Sequence, residues 1–142
     1  MSEAEGARGV VLSHADMADG LVGAVRRIAG GAADGLIALS NEGKSPQQLR
    51  EELDALFGDT PTLVFVDLQA GSCGMAALSC CRESDRRRVV CGVNLPMLLD
   101  FVFNRTLPLA ELAERAVETG RNAIATSPSP AAASPVDGKP AS

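Results

Sequence analysis

Short, wholly apolar runs recur along this chain, among them Val10-Val11-Leu12, Leu63-Val64-Phe65-Val66 and Val89-Val90, with longer amphipathic stretches between them. A strand whose consecutive residues are all apolar has no solvent face, so it belongs in a sheet covered on both sides. Alternation of such strands with helical segments is the pattern of parallel α/β architecture. The periodicity predicts strands over residues 9–13, 36–40, 62–67 and 89–93, and helices over 16–29, 45–57, 72–83, 96–103 and 109–119. Punctuation agrees: Ser45-Pro46 places a cap and a first-turn proline, while Gly30-Gly31, Gly58 and Gly120 follow helical stretches. The expected fold is a small doubly wound, mainly parallel α/β domain with helices on both faces.

The chain has 142 residues, enough for one such unit. Residues 1–8 are expected to be a flexible N-terminus, residues 9–125 the folded domain, and residues 126–142 a disordered tail, since Pro, Ala and Ser there supply no apolar set to offset ordering entropy. No run approaches the length of a membrane span, and the acidic start Met1-Ser2-Glu3 does not resemble a secretory signal. Cys73, Cys80, Cys81 and Cys91 lack paired C-x-x-C spacing, which fits free thiols in a reducing cytoplasm. With one histidine in the chain, a zinc site is not expected. Nucleic acid is not an expected partner: the net charge is −5, the four aromatic residues are all Phe, and Arg86-Arg87-Arg88 reads as a solvated strand entry.

His14, the single histidine, stands where the first strand gives way to a helix. In an open parallel sheet, ligands bind beyond the carboxyl ends of strands at the point where strand order reverses. If the strands order as 2-1-3-4, that point lies between the first and third strands, and His14 would then face Asp67, which closes the third. A carboxylate bonded to one ring nitrogen fixes the tautomer and leaves the other nitrogen nucleophilic. Gly71 and Ser72 open the following helix, where backbone N–H groups and a hydroxyl suit phosphoryl oxygens.

These residues carry a resemblance. Val11-Leu12-Ser13-His14, Val66-Asp67-Leu68 with Gly71-Ser72 and Ala76-Ala77, Gly92-Val93-Asn94-Leu95-Pro96-Met97-Leu98 and Ala116-Val117-Glu118-Thr119-Gly120-Arg121 together resemble the mannose family of phosphotransferase system enzyme IIA domains. The resemblance implies a cytoplasmic phosphocarrier: His14 takes a phosphoryl group from the histidine-containing phosphocarrier protein and passes it to a IIB domain, which serves sugar uptake with membrane IIC and IID components. It implies Asp67 as the group that orients the ring and Ser72, with Gly71, as phosphoryl-binding. It implies neither metal nor dissociable cofactor, and a homodimer in which a short antiparallel fifth strand, residues 121–125, is exchanged. A second reading is a regulatory module on the same fold that reports phosphorylation without feeding a transporter.

After Gly-Ser the family commonly continues Pro-Phe-Asn, whereas this chain has Cys73-Gly74-Met75, and Ala70 replaces a usual glycine. Gly74 in a first helical turn is expected to loosen it, by about 1 kcal/mol relative to alanine. The departure is expected to alter the edge a IIB domain meets, so that restoring Pro-Phe-Asn improves onward transfer. A helix amino end is a place where a thiol pKa falls, but Cys73 has no further acid–base partner and is not expected to be a nucleophile. Met97 and residues 95–99 read as core or dimer surface, Asn94 as structural, and Glu51, Glu52 and Asp54 as solvated helix surface.

Overall fold

The computed structural model describes residues 6–82 and 84–128. Its elements alternate as expected: β1 (Arg8–Ser13), α1 (Met17–Ala29), a 3₁₀ segment (Gly30–Gly35), β2 (Leu36–Ser40), α2 (Pro46–Phe57), β3 (Thr62–Val66), α3 (Ser72–Cys81), β4 (Arg87–Cys91), α4 (Leu95–Val102) and α5 (Leu109–Asn122). The sheet runs β2-β1-β3-β4 with every pairing parallel. Consecutive strand residues point to opposite faces, and the two faces build two cores. Val11, Leu63 and Phe65 pack with Val25, Leu98, Phe101 and Leu112 beneath α1, α4 and α5. Val10, Leu12, Val64 and Val66 pack with Leu49, Leu53, Phe57 and Ala77 beneath α2 and α3. Continuous apolar strands are thus the direct consequence of helices on both sides.

Several boundaries differ from the sequence reading, each for a local reason. β4 lies two residues earlier than 89–93: Gly92 adopts φ +85°, and the N–H groups of Gly92 and Val93 both donate to the Val66 carbonyl, which ends the ladder. Arg87 is therefore a strand residue, not a solvated entry. Its guanidinium lies 4.2 Å above the Phe57 ring and donates to the Cys80 carbonyl at 3.0 Å. Neighbouring Arg86 donates to the Asp59 carbonyl at 2.7 and 3.0 Å. At the other terminus Arg8 opens β1 and the buried Ala7 donates to the Arg105 carbonyl, so the last two residues of the expected flexible N-terminus are held. Residues 1–5, and the expected tail beyond residue 128, lie outside the described residues.

The expected fifth strand is absent from the single chain among the described residues. Arg121 and Asn122 continue α5, where Ala123 donates to the carbonyls of Thr119 and Gly120, and Ile124 to that of Arg121. Within one chain the helix satisfies these backbone groups, whereas a strand here needs a neighbouring edge to pair with.

The Gly92–Leu98 stretch has a packing role. Asn94 caps α4 by accepting from the Met97 N–H at 3.2 Å and donates through Nδ2 to the Gly120 carbonyl at 3.1 Å. Met97 is buried, and a Cβ at Gly120 would stand 2.5 Å from its Cε, so α4 and α5 meet at a glycine. No helix of the described residues is long and apolar enough to cross a membrane.

Candidate functional site

Sheet register assembles the site. Leu12 of β1 pairs with Val66 of β3, so His14 and Asp67 leave neighbouring strands almost together. Oδ2 of Asp67 accepts two hydrogen bonds from one residue, the His14 backbone N–H at 2.9 Å and ring Nδ1 at 2.8 Å. Oδ1 accepts the Leu68 N–H at 2.9 Å. Burial alone raises the Asp67 pKa, but these donors and the attraction of the ring outweigh it and hold the carboxyl below its ordinary range. The carboxylate only accepts, so Nδ1 carries the proton and Nε2 of the neutral ring keeps its lone pair. The Asp67 side chain is 9% exposed and the His14 side chain 41%, which leaves the ring accessible to a partner.

A carboxyl with a depressed folded pKa stabilises the fold above its unfolded value, about 3.9, and that contribution is lost as pH falls through the lower folded value. Asp67→Asn is expected to flatten the acid limb of the stability curve below about pH 4, as read by urea denaturation at a series of pH values. An unchanged acid limb would deny Asp67 this role.

Loops from three strands enclose the imidazole. Ala15 is held at φ +53°, a conformation costly for alanine, by Ser40 Oγ donating to its carbonyl at 2.8 Å and by Asn41 Oδ1 accepting its N–H at 3.3 Å. Asn41 also donates through Nδ2 to Ser72 Oγ at 3.3 Å, which ties the β1 and β3 loops together. The sequence reading missed Asn41. The signal was available, since Ser40-Asn41 closes β2 and the strand order sets β2 beside β1. Gly71 precedes α3 with φ +100°, and a Cβ there would stand 3.8 and 3.9 Å from Cε1 and Nε2 of His14. Gly71 supplies no side-chain cap, so first-turn N–H groups of α3 remain for water or an anion. Gly71 thus stands beside the ring, and Ser72 is joined through Asn41 to the loop that carries His14.

Cys73-Gly74-Met75 requires correction. Gly74 does not loosen the helix start: it is buried, and a Cβ there would stand 2.1 Å from the Gln69 carbonyl oxygen and 2.7 Å from that of Leu68. The 68–70 loop rests on this missing side chain, so inserting the family's phenylalanine would displace the loop, and the restoration experiment loses its rationale. Cys73 is fully buried and does not face a partner, whereas Met75 is 64% exposed. Burial, then the Asp67 charge, push the Cys73 thiol above its usual pKa, opposite to the helix-end tendency. Its Sγ lies 3.9 Å from His14 Nδ1. Elsewhere Lys44 pairs with Glu52 and Arg87 with Asp54 at 3.1 and 3.5 Å.

Comparison with known proteins decides the family. The EIIA-man family model, described as the PTS (phosphotransferase) system fructose IIA component, matches residues 9–118. The chain belongs to this family. Solved IIA structures share the fold. The mannose/sorbose-specific IIA subunit of the phosphotransferase system from Enterococcus faecalis is 26% identical, with a TM-score of 0.76 over 85% of this chain and 94% of that one. The phosphotransferase system component EIIA from Streptococcus agalactiae is 22% identical, with a TM-score of 0.78 over 84% and 95%. The PTS IIA protein associated with the fucose utilization operon of Streptococcus pneumoniae is 22% identical, with a TM-score of 0.69 over 85% and 93%. No curated protein matches. As a IIA component of the mannose type, this domain belongs to phosphotransfer in the sugar phosphotransferase system.

Proposed function

We propose that this IIA domain is a cytoplasmic phosphocarrier in which Nε2 of His14 attacks the phosphoryl group of the histidine-containing phosphocarrier protein and later yields it to a IIB domain serving sugar uptake. The observation that carries this reading is the orientation of the ring: Nδ1 is engaged by Asp67 at 2.8 Å, and Gly71 lies beside Nε2. As the N–P bond forms, the ring becomes cationic, and the Asp67 carboxylate stabilises that charge. The first-turn N–H groups of α3 and the Ser72 hydroxyl receive phosphoryl oxygens. Transfer to a IIB domain reverses the step, so the domain ends unchanged.

Two measurements test it. Phosphorylation with phosphoenolpyruvate, enzyme I and the phosphocarrier is expected to add one acid-labile phosphoryl group, located at Nε2 by nitrogen–phosphorus NMR coupling. Phosphorus at Nδ1 would overturn the assignment. Asp67→Asn is expected to slow transfer about 10²–10⁴-fold with the fold retained. Size is preserved, but the charge is lost, and an amide oxygen turned toward His14 sets its NH₂ against the Leu68 N–H. Equal rates would leave Asp67 a structural group.

The assembly reading is a homodimer. β4 is an edge strand, and the groove beside it is lined by Val89, Val90, Ala113, Val117, Glu118 and Arg121. Ile124, 76% exposed, follows immediately on α5. An apolar edge of this kind suits strand exchange with a second copy. Removing residues 124–142 is expected to shift the dimer toward monomer in light scattering, and removing residues 129–142 to leave it unchanged. A monomeric intact chain at micromolar concentration would count against exchange.

A further inference from the structure

We propose that His14, Asp67 and Cys73 form a three-donor site for a zinc-class divalent cation, and that its occupation blocks phosphoryl acceptance by His14. The inhibitory half rests on the phosphocarrier reading above; the metal site does not. One donor atom from each residue lies within 4.8 Å of the others, with Nδ1 to Oδ2 at 2.8 Å and Sγ to Nδ1 at 3.9 Å. Tetrahedral zinc with ordinary bond lengths sets nitrogen to oxygen at about 3.4 Å and sulfur to nitrogen at about 3.6 Å. Relative to Nδ1 the carboxylate therefore recedes and the sulfur advances by fractions of an ångström, while the Sγ-to-Oδ2 separation, within 4.8 Å here, closes toward about 3.6 Å by side-chain rotation. Thiolate, imidazole and carboxylate together select zinc over the oxygen-seeking magnesium and calcium ions. His14 and Asp67 stand in the loops after β1 and β3 and Cys73 in the first turn of α3, so no local spacing in the sequence announces the cluster, and the proposal runs against the sequence expectation that one histidine leaves no zinc site.

The proton balance makes the site antagonistic to transfer. On binding, Cys73 releases its thiol proton to solvent, the ring proton moves from Nδ1 to Nε2, and the Asp67 carboxylate exchanges a hydrogen bond for a metal bond. One proton leaves per cation, and binding strengthens as pH rises. An Nε2 that carries the proton has no lone pair with which to attack phosphorus. Metal and phosphoryl group therefore compete for one imidazole through its two nitrogens. The thiol that completes the set is one of the residues in which this chain departs from the family's common sequence, so sensitivity is a property of Cys73 rather than of the catalytic pair.

The test uses the full chain. Cobalt(II) replaces zinc as a visible probe, without any phosphoryl donor present, and a chromophoric chelator competes for zinc to give stoichiometry. Wild type is expected to bind one cobalt ion with a thiolate-to-cobalt charge-transfer band that Cys73→Ala lacks. In parallel, pre-phosphorylated donor protein is mixed with either form, with zinc or with chelator. Zinc is expected to slow acceptance by wild type at least about tenfold, with recovery on chelation, and to act at least about tenfold more weakly on Cys73→Ala, which accepts normally with chelator present. No band in wild type, a band that survives in Cys73→Ala, or equal inhibition of both forms would overturn the proposal. Failure of chelated wild type to accept phosphate overturns the phosphocarrier reading instead, and leaves the cobalt result to decide the site.

Discussion

In His14→Ala, phosphoryl uptake from radiolabelled phosphoenolpyruvate, relayed through enzyme I and the phosphocarrier, is expected to fall to background while the domain stays folded. The expected loss is complete because the proposed acceptor atom itself is removed, and this is the single histidine of the chain. The fold is spared because the imidazole is a surface group, 41% exposed, with no place in either core. Asp67 keeps two of its three donors, the backbone N–H of residue 14 and that of Leu68. Circular dichroism and the denaturation midpoint should therefore change little. An alanine variant that labels like wild type would place the phosphoryl group elsewhere and remove the basis for the proposed mechanism.

Gly74→Ala separates two opposed effects. Helix propensity favours alanine over glycine by about 1 kcal/mol, which would raise stability. The added methyl would stand 2.1 Å from the Gln69 carbonyl oxygen, and backbone rather than a flexible side chain must then move. Overpacking of this kind costs about 1–3 kcal/mol, which after the helix gain leaves a net loss of up to about 2 kcal/mol, so the variant is expected to be destabilised, with a fall in Tm of up to about 10 °C. Because the displaced loop lies between Asp67 and the Gly71-Ser72 pair, phosphoryl acceptance should fall by about 10²-fold, the cost of small misplacements in a reacting site. A stabilised, fully active variant would show that the loop has room to adjust.

How far the sequence discloses this molecule depends on the range of the interaction. The apolar runs of β1 and β3 and the cap at Ser45 are local signals, and they lead to the layered parallel sheet; its strand order entered the sequence reading as a supposition that the structure bears out. His14 and Asp67 were legible because strand order converts two distant positions into neighbours. Asn41 was overlooked although its position at the end of the strand beside β1 was an available signal, because its role is a bridge between a backbone amide and Ser72 that no single loop announces. Gly74 was misread for the opposite reason. Propensity treats a glycine in a helical turn as a defect, whereas here a carbonyl from another segment occupies the space where a side chain would be. The end of β4 was obscured because Val93 is as apolar as the strand before it, and only the left-handed Gly92 ends the pairing.

Oδ2 of Asp67 receives both the main-chain and the ring N–H of His14, and this shared acceptor bears on timing. The two bonds define the position of the residue and the angle of its ring together, so the imidazole is immobilised when the chain folds and has little rotational freedom left to lose when a partner docks. Immobilising a side chain at an encounter costs about 0.5–1.5 kcal/mol, roughly a two- to tenfold factor in rate. In the proposed transfer that cost is absent from acceptance and from delivery alike. Both barriers fall together and the equilibrium between donor and recipient is undisturbed, as suits a group that must be taken up and surrendered with equal ease.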